Sequence, residues 1–215
     1  HPAEEMQFQA LMEVRKFGVD AAAVLRELVR AFSAERPPAV EAAAIQSMAG
    51  VAGLVEGALD GETQEAVLDF LVSSGLRARA TQPFAEQIVS RLGLAGSERV
   101  REFLLQPLSP ETLGRDPMAA KRSLQRIVRL RAFSEDVLLR ATELFCKDVE
   151  RGPSLAALKG APSLPASVRE LLLGALSERS GDDKAIVDLL TFAGEAEGLH
   201  DIMRRLASSG DAAKE

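Results

Sequence analysis

The feature that most constrains the fold is a helix core that recurs along the chain. Val24-Leu28-Val29, Val67-Leu71-Val72, Val100-Leu104-Leu105, Val168-Leu172-Leu173 and Ile186-Leu190 each place an apolar residue four positions before a leucine. Val67, Val100, Val168 and Ile186 also carry an acidic residue two positions on, and Val137 with Ala141 is a looser copy. The anchors at 24, 67, 100, 137 and 168 are separated by 43, 33, 37 and 31 residues. One helix hairpin or three-helix unit fits in each interval. A single amphipathic hairpin cannot bury its apolar face alone, whereas hairpins stacked in succession share one continuous core.

The rest of the sequence agrees with helices throughout. Apolar residues recur at three- and four-residue spacing, and no stretch alternates for long as a strand does. There is no Trp and no Tyr, so the core is built from aliphatics and Phe, which suit closely packed helices better than a β-sandwich. The spacing predicts helices at about 4–17, 20–34, 38–59, 62–74, 82–93, 97–106, 117–132, 135–150, 166–179 and 183–193, with a last one near 195–208. Ser97, Ser109, Asp116 and Ser134 precede Pro or acidic residues and read as N-caps. Gly18, Gly61, Gly75, Gly152, Gly181 and Gly194 read as stops or turns. Gly50, Gly53 and Gly57 weaken helix 38–59, so it either breaks near Gly50–Gly53 or offers a small-residue face for close packing. Residues 152–165 are expected as a loop, with at most one helical turn at 155–158, and as a candidate hinge. The expected organisation is one all-helical domain over 1–208 with a frayed tail at 209–215.

Through the Val/Ile-x-x-x-Leu cores quoted above, residues 20–193 resemble the HEAT and armadillo class of α-solenoid. The resemblance implies an all-α, irregular helical-hairpin repeat array. Spacing is uneven, and the regular Pro, Asp and Arg positions of well-formed HEAT repeats are missing, as is the tetratricopeptide pattern. An orthogonal helical bundle is the alternative architecture.

A search for nucleophile elbows, Walker loops, dinucleotide fingerprints and zinc helices finds none. Gly93-Leu-Ala-Gly96-Ser97 lacks the Lys and spacing of a phosphate loop and reads as an interhelical turn. Glu197 and His200 form one Glu-x-x-His element, but a di-iron bundle needs two and the only other His is His1. Asp182-Asp183 is followed by Lys184, Ala185 and Ile186 and is better read as a helix cap than as a metal motif. Cys146, the lone cysteine, lies among Leu144, Phe145 and Val149 and is expected to be a buried, inert thiol. No catalytic residue, cofactor or metal site is therefore expected.

Charge gives a more positive indication. The net charge of −6 disfavours a general nucleic-acid binder. Residues 97–152 nevertheless hold 11 basic against 9 acidic groups, whereas acids prevail on both sides. On helix 117–132 a turn of about 100° per residue gathers Arg122, Arg126 and Arg129 within about 60° of arc. Arg115 joins them if the helix starts early, Lys121 lies nearby, and Leu124, Ile127 and Val128 point away. This face is either the solvated side of an amphipathic helix or a docking site for an acidic partner, since like charges one turn apart repel.

The leading functional expectation is a non-enzymatic scaffold or adaptor, a subunit or fragment of a larger assembly, that binds another protein through an acidic segment. Nucleic-acid binding through the Arg face is the first alternative, weakened by the lack of Trp and Tyr for base stacking. A small-molecule binder or enzyme with an unrecognised pocket is the second. The longest uncharged run, Ala42 to Val55, is too short and too weakly apolar to span a membrane. A single cysteine and no transmembrane segment lead to an intracellular expectation, cytosol or nucleus. Partner identity and oligomeric state are left open by the sequence.

Overall fold

Asp20 opens the first helix described by the structure, a computed structural model, its carboxylate accepting the Ala22 N–H at 2.9 Å. The structure describes residues 20–32, 38–55, 59–78, 80–178 and 184–192. The helices expected at 4–17 and 195–208, the tail at 209–215, and the Asp182-Asp183 and Glu197/His200 pairs lie outside these residues. The described residues form eleven α-helices and no strand. They fall into two compact units, His1–Phe103 and Leu104–Glu215.

The first unit contains α1 (Ala21–Phe32), α2 (Pro38–Ala52), α3 (Gly61–Phe70), α4 (Gln82–Arg91) and most of α5 (Glu98–Leu105). On α1 the buried stripe is Ala21, Leu25 and Val29, one residue away from the Val24/Leu28 pair anticipated by the repeat. The i/i+4 spacing is the expected one and Val29 is buried as anticipated, but the pair shifts by one residue, leaving Val24 and Leu28 half-buried. Helix α2 stops at Ala52 rather than running to 59, and the chain turns at Gly53 and Leu54. Arg91 of α4 explains this end: its Nη1 donates to the Ala49 carbonyl at 2.6 Å, an acceptor that a continuing helix would have used. A Cβ at Gly53 would stand 2.7 Å from that same nitrogen. The guanidinium thus takes the space and satisfies a terminal carbonyl, where the helix dipole also favours a cation.

Gly61 starts α3 instead of stopping a helix, because Asp60 supplies the cap. Its Oδ1 accepts the Thr63 N–H at 2.9 Å and its Oδ2 accepts the Thr63 hydroxyl at 2.8 Å and Arg26 Nη2 of α1 at 2.6 Å. Helix α3 widens into a π-helical turn over Leu71–Gly75. Gly75 permits this turn to touch both neighbours, since a Cβ there would meet Ala85 of α4 at 3.1 Å and Ile45 of α2 at 3.2 Å. Within the unit α1 packs on α2 and on α3, α2 packs on α4, and the π turn packs on both α2 and α4. Arg99 of α5 reaches back to Asp69 and Glu65 of α3, at 2.9 and 3.7 Å.

The second unit holds the end of α5, then α6 (Pro110–Arg115), α7 (Pro117–Leu130), α8 (Glu135–Cys146), α9 (Arg151–Gly160), α10 (Ala166–Glu178) and α11 (Lys184–Phe192). Helix α9 corrects the loop expected at 152–165, because residues 152–160 are helical. Pro153 sits in the first turn, where a missing N–H breaks no ladder bond. Gly160 closes the helix under the Phe133 ring, 3.1 Å from where a Cβ would stand. Helix α8 ends at Cys146, short of the expected 150, because Asp148 and Glu150 turn the chain with left-handed φ of 58° and 45°. Arg151 braces the turn, pairing with Asp148 and lying 4.5 Å over the Phe145 ring. Within this unit α8 packs on α9 and on α10, α9 packs on α7 and α11, α10 packs on α11, and α6 packs on α7.

Beyond α1, the i/i+4 anchor residues are buried as the spacing predicts. Val67, Leu71, Val100, Leu104, Val137, Ala141, Val168, Leu172, Ile186 and Leu190 are all essentially without solvent contact. Truncating Leu172 to Ala should therefore cost about 2–5 kcal/mol in urea unfolding, the range for buried leucine truncations. The Asp60 cap makes a separate prediction. Its bonds to the Thr63 N–H and hydroxyl, and then Arg26, lower its pKa to about 2. A depressed pKa stabilises the fold above the unfolded value near 4, and that contribution disappears as pH falls towards about 2. Melting followed between pH 5 and 2 should show a steeper loss for the wild type than for Asp60→Asn.

Candidate docking face on helix α7

Ser109 caps α6 by accepting the Thr112 N–H at 3.3 Å, and Asp116 then caps α7 by accepting the Ala119 N–H at 3.1 Å. Pro117 at the first helical position lacks an N–H that would have had no partner in the helix. The helix closes at Arg131, not 132, with Arg131 itself left-handed at φ 55° and the Ala132 N–H on the Ile127 carbonyl at 3.0 Å.

Ala120, Ser123, Leu124, Ile127 and Leu130 line the buried side of α7. Ser123 Oγ donates to the Leu104 carbonyl at 2.6 Å, which leaves a buried hydroxyl satisfied. Arg126 belongs to this side as well: it is only 9% exposed. The expectation that it shares an open face with Arg122 and Arg129 is corrected accordingly. On the wheel Arg126 lies about 40° from Arg122 towards Ser123 and Leu130, and the packing covers it.

The exposed line is Met118, Arg122, Gln125 and Arg129. Arg115, at the end of α6, is also exposed, and Lys121 is half-buried on the flank. Arg122 Nη2 bonds Asp116 Oδ2 at 2.9 Å, both side chains being about half exposed (53% and 50%). The structure thus brings Arg115, Lys121, Arg122 and Arg129 to the surface of the α6–α7 corner and removes Arg126 from it. Met118, 53% exposed, was not singled out by sequence, since an apolar residue in the first turn of an amphipathic helix reads as core.

The other flagged residues have structural surroundings. Gly93 takes a left-handed φ of 67°, a short 3₁₀ turn follows at Leu94–Gly96, and Ser97 Oγ accepts the Val100 N–H at 3.4 Å. That segment is the interhelical turn anticipated. Cys146 is half-buried at the end of α8, not fully enclosed as expected. Among the described residues no group of three or more His, Cys, Asp or Glu converges to hold a metal ion, and no helix is long and apolar enough to cross a membrane. Comparisons with protein-family models, curated proteins and solved structures find no match to the chain.

The geometry separates two arginines that the sequence grouped together. Arg126→Ala should lower the melting temperature measurably, because its buried stem packs against the core. Arg129→Ala, on the exposed line, should change unfolding free energy by no more than about 0.5 kcal/mol.

Proposed function

We propose that the protein is a non-enzymatic interaction scaffold, built of irregular helical hairpins of the HEAT and armadillo kind, that docks an acidic segment of another protein on the α6–α7 corner. The observation that carries the architectural half is the packing register inside each unit. In the second unit the hairpins α8–α9 and α10–α11 meet with α8 on α10 and α9 on α11. In the first unit α1 lies on α3 and α2 on α4. Equivalent helices of successive hairpins therefore pack together, the arrangement that lets a repeat bury a face it cannot bury alone. An orthogonal bundle has no reason to keep that order.

Polar links follow the same register. Arg26 and Arg99 tie α1 and α5 to α3, Arg91 ties α4 to α2, and Ser167 of α10 bonds Glu135 of α8 at 2.6 Å. The functional half rests on Arg115, Lys121, Arg122 and Arg129, with Asp116 the single acid between residues 113 and 133. Guanidinium groups offer forked donors that match carboxylates, and a rim of like charge steers an oppositely charged partner.

Charge reversal tests the reading. Arg122→Glu combined with Arg129→Glu should keep the helical signal and melting temperature near wild type while losing acidic protein partners from affinity capture with the full chain. An unchanged set of captured partners would place the interface elsewhere, and capture of nucleic acid alone by the wild type would replace this reading.

A further inference from the structure

Resting on the reading that the α7 ridge docks an acidic partner, we infer that its occupant is an acidic amphipathic helix lying along α7. An apolar side chain of that helix covers Met118, and two carboxylates one heptad apart face Arg122 and Arg129. Spacing along α7 favours such an occupant. Met118, Arg122, Gln125 and Arg129 follow one another at intervals of four, three and four residues. That is the alternation by which one helix presents a seam to another, drifting only about 20° per heptad. All four are exposed, so the seam meets solvent along about 16 Å, or three turns.

The separation of the charges also suits a helix. Seven residues set the Arg122 and Arg129 backbones about 10.5 Å apart along the axis. A partner helix with acids at i and i+7 repeats that distance. An extended strand presents same-face side chains about every 6.7 Å, so its acids would fall at about 6.7 or 13.4 Å and miss one arginine or the other. Met118 adds an apolar contact at one end of the line. A large, flexible thioether left 53% in water offers an adaptable apolar contact, which a phosphate backbone would leave unused and an amphipathic helix would cover.

Asp116 fixes the polarity. It occupies one edge of the Arg122 guanidinium and stands beside the first turn of α7. Its charge repels an acid placed near Met118, so the apolar anchor belongs at that end and the carboxylates at the other. Arg122 can still accept a second carboxylate, because a guanidinium has five donors and its side chain remains half exposed.

The test uses designed 16-residue alanine-rich helical peptides titrated into the ¹⁵N-labelled full chain. The matched probe carries one Leu with Glu four and eleven positions away, made in both sequence directions. The control has the same composition with both Glu moved two positions, off the Leu face. The expected result is that one matched peptide shifts amide signals across 115–131 and binds at least tenfold tighter than the control. Met118→Ser should weaken it about fivefold and Arg129→Glu at least tenfold. Equal binding of matched and control peptides, both confined to 115–131, would overturn the helical seam while leaving acidic docking intact. No response at 115–131 to any acidic peptide, or tighter binding of a duplex oligonucleotide there, would overturn both. Because the peptides alone carry the register comparison, the outcome does not depend on how any protein variant folds.

Discussion

An α-helix with aliphatic residues at i and i+4 has a stripe that water penalises, and a single hairpin covers only part of it. Within each unit, several described helices also pack on the helix two places along. Val137 and Leu138 of α8 and Val168 and Leu172 of α10 are buried in one unit, while Leu25 of α1, Val67 of α3 and Leu71 of the π turn that extends α3 are buried in the other, and α8 packs on α10 and α1 on α3. Each fully buried aliphatic of this size contributes about 1.5–3 kcal/mol relative to exposure.

A core without Trp or Tyr has few long side chains with which to bridge helices, and arginine takes that part. Arg91 ends α2 by bonding the Ala49 carbonyl; Arg140 does the same for the turn after α5, with Nε and Nη2 on the Leu108 carbonyl at 2.8 and 2.6 Å. Arg26 engages the cap of α3. In each case the stem can lie against apolar surface while the head reaches a group that a helix terminus leaves over. The arginines at 122 and 129 of α7 are distinguished from these by position: both side chains lie on the exposed side of that helix.

Much of the fold was legible because its strongest signal is periodic. The i/i+4 cores located α3, α5, α8, α10 and α11, and Ser109 and Asp116 marked real caps. On α1, Val24/Leu28 and Leu25/Val29 fit the same spacing, and only the neighbouring helices decide which pair turns inward. The segment 152–160 was misread because Gly152 and Pro153 look like turn residues, yet the first helical turn tolerates both. On α7 the arc holding three arginines could be computed, but which edge α9 and the preceding turn would cover could not. That tertiary choice buried Arg126 and exposed Met118, moving the ridge by about 40°.

The proposed repeat arrangement requires equivalent helices of successive hairpins to pack together within each unit. Methyl NOE spectroscopy of the Ile, Leu, Val and Ala side chains measures this directly. Dense contacts are expected between the buried methyls of α8, among them Val137, Leu138 and Ala141, and those of α10, among them Val168, Leu172 and Leu176, with sparser ones between α9 and α11. Dense contacts from α8 to α11 in place of these, with α8 and α10 apart, would contradict it.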